Sequence, residues 1–546
     1  MNAGLKKPTD IESRTLVDAL LEEQRSLTAV ERFARMQEQN DLPSQEKFYR
    51  HLIPLTTPAP GQQYGFEVDL DKCSGCKACV TACHALNGLE AEETWRDVGL
   101  LFSNDWRAPF QVSVTTACHH CVEPACLSGC PVLAYDKDPV TGIVRHLDDQ
   151  CIGCQYCVMK CPYEVPQYSA KRGIVRKCDM CSSRLSQGEA PACVQACPSQ
   201  AIRITLVDQR EISLQFQEQT EAANFKGAKP VNPFLPSSPA PDYTIPTTRY
   251  KSSKPLPIGL LAGNHARVLP ACAHLPLVFM LVLSQLAVGA SIAAAFLEPA
   301  KWLALLAAMS GVLAIGIGTL HLGQPLKAWR AFLGWRTSWF SREVIVFGVF
   351  IPLAMLAAGS YWFAPLAAWQ QPLRLATCAS GLLGVACSAM IYADTRREFW
   401  RASQTFGKFF ATTLLLGAGA ALVVSDQHAV GLVALLGLAA IFKLGLEQRI
   451  FQHRVDEEAP APTSLNKTAR LLADELGFFA RSRILCGVIG GVFLPILLAM
   501  KFAPGDSHGR WLALAAMAFC LTGELLERYL FFTAVAPATM PGGLMA

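Results

Sequence analysis

Sixteen of the 21 cysteines of this chain fall in one stretch, between residues 73 and 197. They form four blocks of four, and three of the blocks end in Cys-Pro. Three thiolates on one tight loop can reach three corners of an iron–sulfur cube, while the cysteine further along the chain points towards a second cube. At four thiolates per cube, sixteen cysteines predict four [4Fe–4S] clusters. The blocks are Cys73-x2-Cys76-x2-Cys79-x3-Cys83, Cys118-x2-Cys121-x4-Cys126-x3-Cys130, Cys151-x2-Cys154-x2-Cys157-x3-Cys161 and Cys178-x2-Cys181-x11-Cys193-x3-Cys197.

Zinc is the main alternative occupant of such thiols, because structural zinc sites also use Cys-x2-Cys pairs. Zinc sites rarely combine three cysteines at this spacing with a fourth that precedes proline, whereas ferredoxin clusters use this combination. Disulfides are disfavoured, because the N-terminus lacks the features of a secretory signal and thiols in a reducing cytosol are more often metal ligands. The spacing therefore favours iron–sulfur clusters.

The second half of the chain has the composition of a membrane protein. Only 17% of all residues are charged and the mean hydropathy is +0.26, whereas a soluble chain usually carries about 25% charged residues. The sequence after residue 274 contains eight apolar stretches of nearly membrane-spanning length. These predicted spans are 275–297, 302–320, 343–364, 373–392, 406–424, 429–446, 483–501 and 511–535.

These features divide the chain into four predicted parts. We expect a helical N-terminal extension over 1–60, a four-cluster domain over 61–225, a proline-rich linker over 226–258 and an eight-span membrane anchor over 259–546. Eight prolines in the linker prevent helix and favour an extended connector. The predicted fold class is multidomain, with an α+β ferredoxin-like four-cluster domain fused to an all-α transmembrane bundle of eight helices.

The distribution of basic residues predicts the orientation of the spans. Eighteen Lys and Arg residues fall on the side that the spans share with the cysteine blocks, and four fall on the opposite side. Cytoplasmic loops carry an excess of Lys and Arg. We therefore expect a multi-pass protein of the bacterial cytoplasmic (inner) membrane with its cysteine domain in the cytoplasm. A net charge of +4 over 546 residues gives no indication of a nucleic-acid partner.

Residues 66–206 resemble the four-cluster electron-transfer subunit of the dimethyl sulfoxide reductase family of molybdenum enzymes. The resemblance is carried by Asp71-Lys-Cys-Ser-Gly-Cys-Lys-Ala-Cys79, Cys118-His-His-Cys121, Cys151-Ile-Gly-Cys-Gln-Tyr-Cys157 and Arg176-Lys-Cys-Asp-Met-Cys181. It implies four sets of ligands, each for one [4Fe–4S] cluster. We name them set A (Cys73, Cys76, Cys79, Cys197), set B (Cys83, Cys178, Cys181, Cys193), set C (Cys118, Cys121, Cys126, Cys161) and set D (Cys130, Cys151, Cys154, Cys157).

Residues 260–546 resemble the eight-helix membrane anchor of the same enzymes, which is related to polysulfide-reductase-type anchors. The motifs are Leu320-His-Leu-Gly-Gln-Pro325, Ser341-Arg-Glu343 and Gly523-Glu-Leu-Leu-Glu-Arg528. The resemblance implies that two subunits of the family are fused in this chain. It also implies a separate catalytic subunit that carries molybdopterin of the bis-guanine dinucleotide type. The expected partners are this subunit, a quinone and membrane lipid.

Three ionisable residues in or near the spans are candidates for a quinone site: His321, Glu343 and Glu524. Ionisable groups in spans are costly and usually functional, and a histidine with nearby carboxylates can bind a quinone oxygen and transfer protons. The family resemblance ties His321 to quinol oxidation and matches Glu343 to a neighbouring carboxylate. Capping of helix ends is the alternative role for Glu343, and a structural i, i+4 ion pair with Arg528 is the alternative for Glu524. Haem is not expected, because these anchors lack it.

The predicted function is electron transfer between the quinone pool and a molybdenum-containing catalytic subunit, through four clusters held by a membrane-anchored chain. The terminal substrate would be converted on the partner, so this chain is expected to be a non-catalytic subunit with quinone chemistry in its anchor. The alternative is a membrane tether for an iron–sulfur oxidoreductase that has no quinone chemistry of its own. Either direction of electron flow is compatible with the sequence, because cluster potentials vary widely with environment.

Overall fold

The computed structural model describes most of the chain, and the cysteine blocks and predicted spans lie almost entirely within the described part. The described residues are 15–25, 30–31, 34–35, 38 and 46–543, with gaps at 226–231, 299, 425–428, 456–461 and 502–506. The other positions of the predicted extension over 1–60 and the start of the predicted linker lie outside the described residues. Within the described part of the extension, helices cover Leu16–Arg25 and Glu46–Tyr49.

The cysteine half is built from short strands arranged in four small sheets. In the described residues the sheet orders are β8-β1-β9, β10-β2-β3, β4-β5 and β6-β7. The long central strand β1 pairs antiparallel with β8 and parallel with β9. The strands are β1 Gln62–Asp69, β2 Asp97–Phe102, β3 Gln111–Thr116, β4 Tyr135–Lys137, β5 Val144–His146, β6 Gln167–Ser169, β7 Ile174–Arg176, β8 Ile202–Asp208, β9 Arg249–Lys251 and β10 Leu261–Ala262.

Short helices follow the cysteine loops, and the loops reach them through left-handed backbone positions. In the first block Gly75 has φ 73° and Lys77 has φ 62°, and in the third block Gly153 and Gln155 occupy the same places with φ 69° and 58°. Two such residues around one cysteine bend the loop tightly, and glycine adopts this conformation without strain. The helices of this half are Ala78–Asn87, Ala125–Gly129, Tyr156–Lys160, Ser182–Leu185, Ala192–Gln195 and Gln209–Phe225.

The described part of the proline-rich stretch packs within the cysteine half. Strand β9 adds to the sheet of β1, and β10 pairs with β2. Thr247 is fully buried, and both its amide and its hydroxyl donate to the carbonyl of His119. Residues 232–262 therefore contribute to the core of this half, although their composition predicted an extended connector.

The membrane half contains eight helices that are long and apolar enough to cross a membrane, in the part of the chain that the structure describes. This confirms the predicted eight-helix bundle. Shorter helical segments lie between the spans at Pro325–Phe332, Ala364–Ala367, Glu398–Trp400 and Ser464–Ala473. The spans are span 1 Leu275–Phe296, span 2 Ala300–Thr319, span 3 Trp339–Gly359, span 4 Gln370–Ala393, span 5 Ala402–Val424, span 6 Val430–Arg454, span 7 Gly477–Met500 and span 8 His508–Thr533.

Spans 3 and 7 begin several residues before their predicted starts, and each accommodates a charged side chain inside a helix. Span 3 includes Arg342, which donates to the carbonyls of Trp335 and Arg336 and lies over the ring of Trp339. Span 7 includes Arg483, whose guanidinium is paired with carboxylates of neighbouring spans. Once their charges have partners, both side chains fit within helices.

Spans 1 and 5 form the centre of the bundle and have the largest buried shares. They meet at Gly289 and Gly417, where a Cβ on Gly289 would lie 2.3 Å from the Thr413 carbonyl oxygen. Small residues allow two helix backbones to approach closely in a membrane. Span 7 contains a π-helical turn at Ile489–Phe493, and its Gly490 lies against the backbone of span 8.

The chain returns to the cysteine half after span 8. In residues 534–543, the Gly542 carbonyl accepts from the amide of Leu100, and Pro541 lies against Gly99 of β2. The Met540 side chain is buried among cysteine-half residues. The C-terminal segment therefore lies on the same side of the membrane half as the cysteine blocks.

Candidate functional site

Two of the four cysteine sets each surround a cavity. The four thiols of set A line one cavity together with Gly75 and Thr115. The four thiols of set C line another, together with Lys177 and Tyr163. Among the described residues, no three His, Cys, Asp or Glu side chains lie close enough to hold a single metal ion. Four thiols around one cavity are the ligand set that an iron–sulfur cube requires.

The members of sets B and D are also neighbours in the structure. Burial raises the pKa of Cys83 to about 12, and the thiolates of Cys193 and Cys181 add to this effect. In set D, burial raises the pKa of Cys130 to about 11, with repulsion from Cys151 as a further cause. Buried thiolates this close together need a compensating positive charge, which iron supplies when a cluster binds. The sets that the family resemblance implies therefore bring together thiols that are neighbours in the structure.

Backbone amides point at several of the cysteine sulfurs. The amides of Ala134 and Gly153 donate to Cys130 and Cys151 of set D at 3.2 and 3.4 Å. The Ala201 amide donates to Cys197 of set A at 3.3 Å. Such hydrogen bonds stabilise negative charge on sulfur and are one of the means by which a protein adjusts cluster potentials.

The four sets lie in a row in the order A, B, C, D. Burial raises the pKa of Cys79 in set A, and the nearby thiolate of Cys193 in set B contributes. Burial raises the pKa of Cys178 in set B, and the thiolate of Cys118 in set C is the next largest cause. Tyr135 lies beside both Cys126 of set C and Cys157 of set D. Clusters bound at these sets would form one continuous path for electrons.

Set D lies against the membrane half. The amide of Gln324 donates to the carbonyl of Ile152 at 3.0 Å, and a Cβ on Gly153 would lie 2.9 Å from the amide nitrogen of Gly323. The amide of Gly334 donates to the carbonyl of Pro131 at 2.8 Å. The segment between spans 2 and 3 therefore contacts two of the cysteine loops that form set D.

The ends of spans 3 and 4 complete this docking surface. Ser338, before span 3, donates to the carbonyl of Gly129 at 2.7 Å. Tyr156 donates to the carbonyl of Ile391 in span 4 at 2.9 Å, and the ammonium of Lys160 pairs with Asp394. Both Tyr156 and Lys160 belong to the helix of the third cysteine block, so the ligand loop of set D is fixed directly to the anchor.

His321 occupies the junction between set D and the spans. Its imidazole lies beside the backbone of Cys154, and its ring packs perpendicular to that of His274 at 5.0 Å. Burial and the neighbouring His274 lower the pKa of His321 to about 4, so the ring is neutral near pH 7. The Nε2 atom is buried and has no hydrogen-bond partner among the described residues. A neutral ring with one free nitrogen can donate a proton to a ligand oxygen or accept one from it.

Glu343 lies inside span 3 and is buried against span 4. It accepts a hydrogen bond from the hydroxyl of Ser388. The imidazole of His321 lies instead beside the backbone of Cys154. The structure therefore places these two candidates at different contacts, His321 at the docking surface and Glu343 between two spans.

Glu524 is part of a network of charges inside the membrane half. It pairs with Lys443 of span 6 and with Arg483 of span 7 at 3.0 Å, and it accepts from Thr412 of span 5 at 2.6 Å. Arg528 pairs with Glu527. The i, i+4 pair of Glu524 with Arg528 suggested by the sequence is therefore wrong, because each residue has a nearer partner of opposite charge.

The sequence analysis missed most of this network. Its further contacts join Lys408 to Glu527 at 3.7 Å and Arg483 to Glu447 at 2.9 Å. Lys408, Lys443 and Arg483 lie inside the predicted spans, near the ends on the cysteine side, and they were counted among the eighteen basic residues of that side. Without these three, fifteen remain against four, so the excess persists. We call the whole group the intramembrane network: Lys408, Lys443, Glu447, Arg483, Glu524, Glu527 and Arg528.

A row of four-thiol sites in a ferredoxin-like half, docked onto eight apolar helices, defines an iron–sulfur electron-transfer protein with its own membrane anchor. Comparison with protein families agrees for both halves. Residues 110–207 match the family described as 4Fe-4S dicluster domain, and residues 271–534 match the family described as DMSO reductase anchor subunit (DmsC).

Curated relatives match the cysteine half. The B subunit of the anaerobic dimethyl sulfoxide reductase of Haemophilus influenzae is 38% identical over 157 residues, which cover 27% of this chain and 76% of the relative. The thiosulfate reductase electron transfer subunit PhsB of Salmonella typhi is 37% identical over 159 residues, covering 28% and 79%. The hydrogenase-2 operon protein HybA of Shigella flexneri is 38% identical over 171 residues, covering 27% and 52%.

The protein belongs to the dimethyl sulfoxide reductase family, and it fuses an iron–sulfur subunit of the B type with an anchor of the DmsC type. It holds iron–sulfur clusters, transfers electrons and is anchored by several passes through a membrane.

Proposed function

We propose that the protein passes electrons between membrane quinone and a separate molybdenum-containing catalytic subunit through four [4Fe–4S] clusters. The observation that carries this proposal is the contact of His321 with the backbone of Cys154 in set D. It joins a candidate quinone ligand in the anchor to the membrane-facing end of the row of thiol sets. An electron released beside His321 would enter the row at set D and leave it at set A.

The proposed ligands are the sixteen cysteines of sets A to D, four to each cluster. Support comes from the two cavities lined by complete sets and from the mutual proximity of the thiols in the other two sets. The clusters supply one-electron steps over a row of sites. The protein itself holds them apart from water and stabilises their negative charge with amides and buried cations.

For the quinone we propose His321 as the residue that binds a ring oxygen. Oxidation of a quinol releases two electrons and two protons, so the site needs a proton acceptor beside the electron path. The neutral ring of His321, with Nε2 free, can take a proton from a quinol hydroxyl. Glu343 is the proposed second proton group. Because Lys443 and Arg483 already pair with Glu524, we assign Glu524 to the structure of the bundle.

The partner, the location and the domain boundaries are also part of the proposal. Relatives named as subunits of dimethyl sulfoxide reductase support a catalytic subunit with molybdopterin, for which we propose the bis-guanine dinucleotide type. The excess of basic residues supports a cytoplasmic cysteine half on the bacterial inner membrane. We propose the division into extension 1–60, four-cluster domain 61–225, linker 226–258 and anchor 259–546, in which residues 232–262 pack on the four-cluster domain.

Replacement of His321 tests the quinone role against a simple tether. In membranes, His321→Ala should abolish reduction of the clusters by a quinol while dithionite, which reduces clusters directly, still reduces them. A positioned proton-transfer group contributes about 10²–10⁴-fold in rate, so a collapse is expected. His51→Ala, an exposed histidine far from set D in the sequence, is the matched control. Normal quinol-driven reduction in the His321 variant would favour the tether.

A further inference from the structure

Arg96 is a buried cation between sets A and B. It precedes β2, and only 2% of its surface is exposed. Burial alone would lower the pKa of Arg96, but the thiolates of Cys193, Cys79 and Cys178 hold it above the ordinary value. These thiols belong to both sets. The guanidinium therefore lies where two neighbouring clusters would approach each other.

The guanidinium is held in place on one side only. One of its nitrogens, Nη1, donates to the hydroxyl of Thr115 at 3.1 Å, and the group lies over the ring of Phe66 at 4.6 Å. That Thr115 hydroxyl is 3.6 Å from the sulfur of Cys79 in set A. The second nitrogen, Nη2, is buried without a hydrogen-bond partner among the described residues.

Arg96 also has no carboxylate as an ion-pair partner among the described residues. None of the ion pairs found among the described residues involves it. A buried charge is costly unless an opposite charge compensates it. Clusters carried by four thiolates are anionic, so bound clusters at sets A and B would supply the missing partner.

Lys177, the corresponding cation between sets B and C, is satisfied differently. Its ammonium donates to the carbonyls of Val144 and Cys178. Backbone oxygens therefore absorb part of its charge. Arg96 differs because its buried Nη2 has no partner among the described residues.

We propose that Arg96 is a fixed positive charge shared by the cluster sites of sets A and B, and that it raises the reduction potentials of both clusters. The inference rests on the proposed ligand sets. Reduction adds one electron, and hence one negative charge, to a cluster, and a nearby cation in a low-dielectric interior favours the more negative form. Arg96 thus makes the end of the row far from the membrane the more favourable place for an electron.

A redox titration of the purified full-length protein, followed by electron paramagnetic resonance, tests this directly. Arg96→Gln should lower the midpoint potentials of two clusters and leave the other two unchanged, with iron and sulfide contents equal to the wild type. Arg96→Lys keeps the charge and should retain both potentials. Arg107→Gln removes the same charge from an exposed loop position, where water and salt screen it, and should shift nothing.

The outcomes separate this inference from the proposed clusters. A wild-type protein with iron for fewer than four clusters would refute the ligand sets themselves. Four intact clusters with unshifted potentials in Arg96→Gln would overturn the role of Arg96 alone. If Arg96→Gln fails to retain iron, the iron content and the potentials of Arg96→Lys test the role of the charge instead. Full iron and unchanged potentials in the lysine variant support the role of the positive charge. Equal loss of iron in the lysine variant overturns that role, because the site then requires the shape of arginine.

Discussion

His321 and Cys154 are neighbours across the junction of the two halves, with the imidazole of one beside the backbone of the other. One residue lies just after span 2 of the anchor and the other belongs to set D of the cysteine half. The candidate quinone ligand and the first candidate cluster site therefore touch without an intervening residue. Disturbance of this contact should affect transfer between the halves before it affects either half alone.

The number of clusters can be counted chemically. A protein purified without oxygen should contain about 16 iron and 16 acid-labile sulfide, from four cysteines per cube. Cys126→Ala should lose or convert one cluster and leave three, because Cys126 lines the cavity of set C. Mainly zinc, or iron for only two clusters, would contradict the ligand sets.

Gly323 lies where the membrane half and the cysteine half are in close contact. A Cβ at this position would lie 2.1 Å from the carbonyl oxygen of Gly173, in the turn between β6 and β7. Gly323→Ala should therefore push the halves apart and slow quinol-driven reduction, while iron content and dithionite reduction stay normal. Gly348→Ala, in span 3, meets nothing within 4 Å and is the control. Equal rates in both variants would mean that this contact does not matter for transfer.

Glu343 should modulate quinol oxidation more mildly than His321. Glu343→Gln keeps a hydrogen-bonding group for Ser388 but cannot take a proton. We expect partial loss of quinol-driven reduction with an altered pH dependence, measured as rate against pH in membranes. Ser388→Ala, which removes the partner and leaves the carboxyl, is the matched variant. If both variants match the wild type at every pH, Glu343 has only a role in packing.

The intramembrane network should contribute strongly to stability. Lys443 is fully buried and pairs with Glu524 and Glu527. Removing one partner of a buried ion pair costs about 3–5 kcal/mol, because the other charge is left uncompensated. Lys443→Met should therefore lower the Tm in detergent, while the exposed Lys301→Met should not. An unchanged Tm would show that the network does not hold spans 5 to 8 together.

Reporter fusions test the orientation. Residues 534–543 lie against the cysteine half, so a reporter at the C-terminus reports the side of that half. We expect activity from a reporter that works in the cytoplasm and none from one that requires export. The reverse pattern would invert the orientation that the fifteen remaining basic residues indicate.

The local features of this protein could be predicted from its sequence. Cluster loops depend on residues a few positions apart, so Cys73, Cys76 and Cys79 reveal their loop directly. Spans depend on continuous apolar runs, and all eight were found. The family resemblance added the grouping of the cysteines into sets, which no single spacing determines.

Contacts between residues far apart in the chain could not be predicted, because they leave no local pattern in the sequence. The pairing of β9 with β1 joins residues far apart in the sequence, and its proline-rich surroundings indicated a connector instead. The pairing of Lys408, Lys443 and Arg483 could not be predicted, because only the fold brings the carboxylates that neutralise them close. Each lies within an apolar helix a few residues from its end, which is the one sequence feature that could have revealed the network.

The membrane half is tied to the cysteine half at both of its ends, by strands β9 and β10 before span 1 and by residues 534–543 after span 8. When two modules share one polypeptide, their encounter is intramolecular and its effective concentration is in the millimolar range for a short connection. The surface around His321 and Cys154 therefore needs little affinity of its own to stay closed. Synthesis as one polypeptide also fixes the stoichiometry, so that every anchor is made together with its own electron relay.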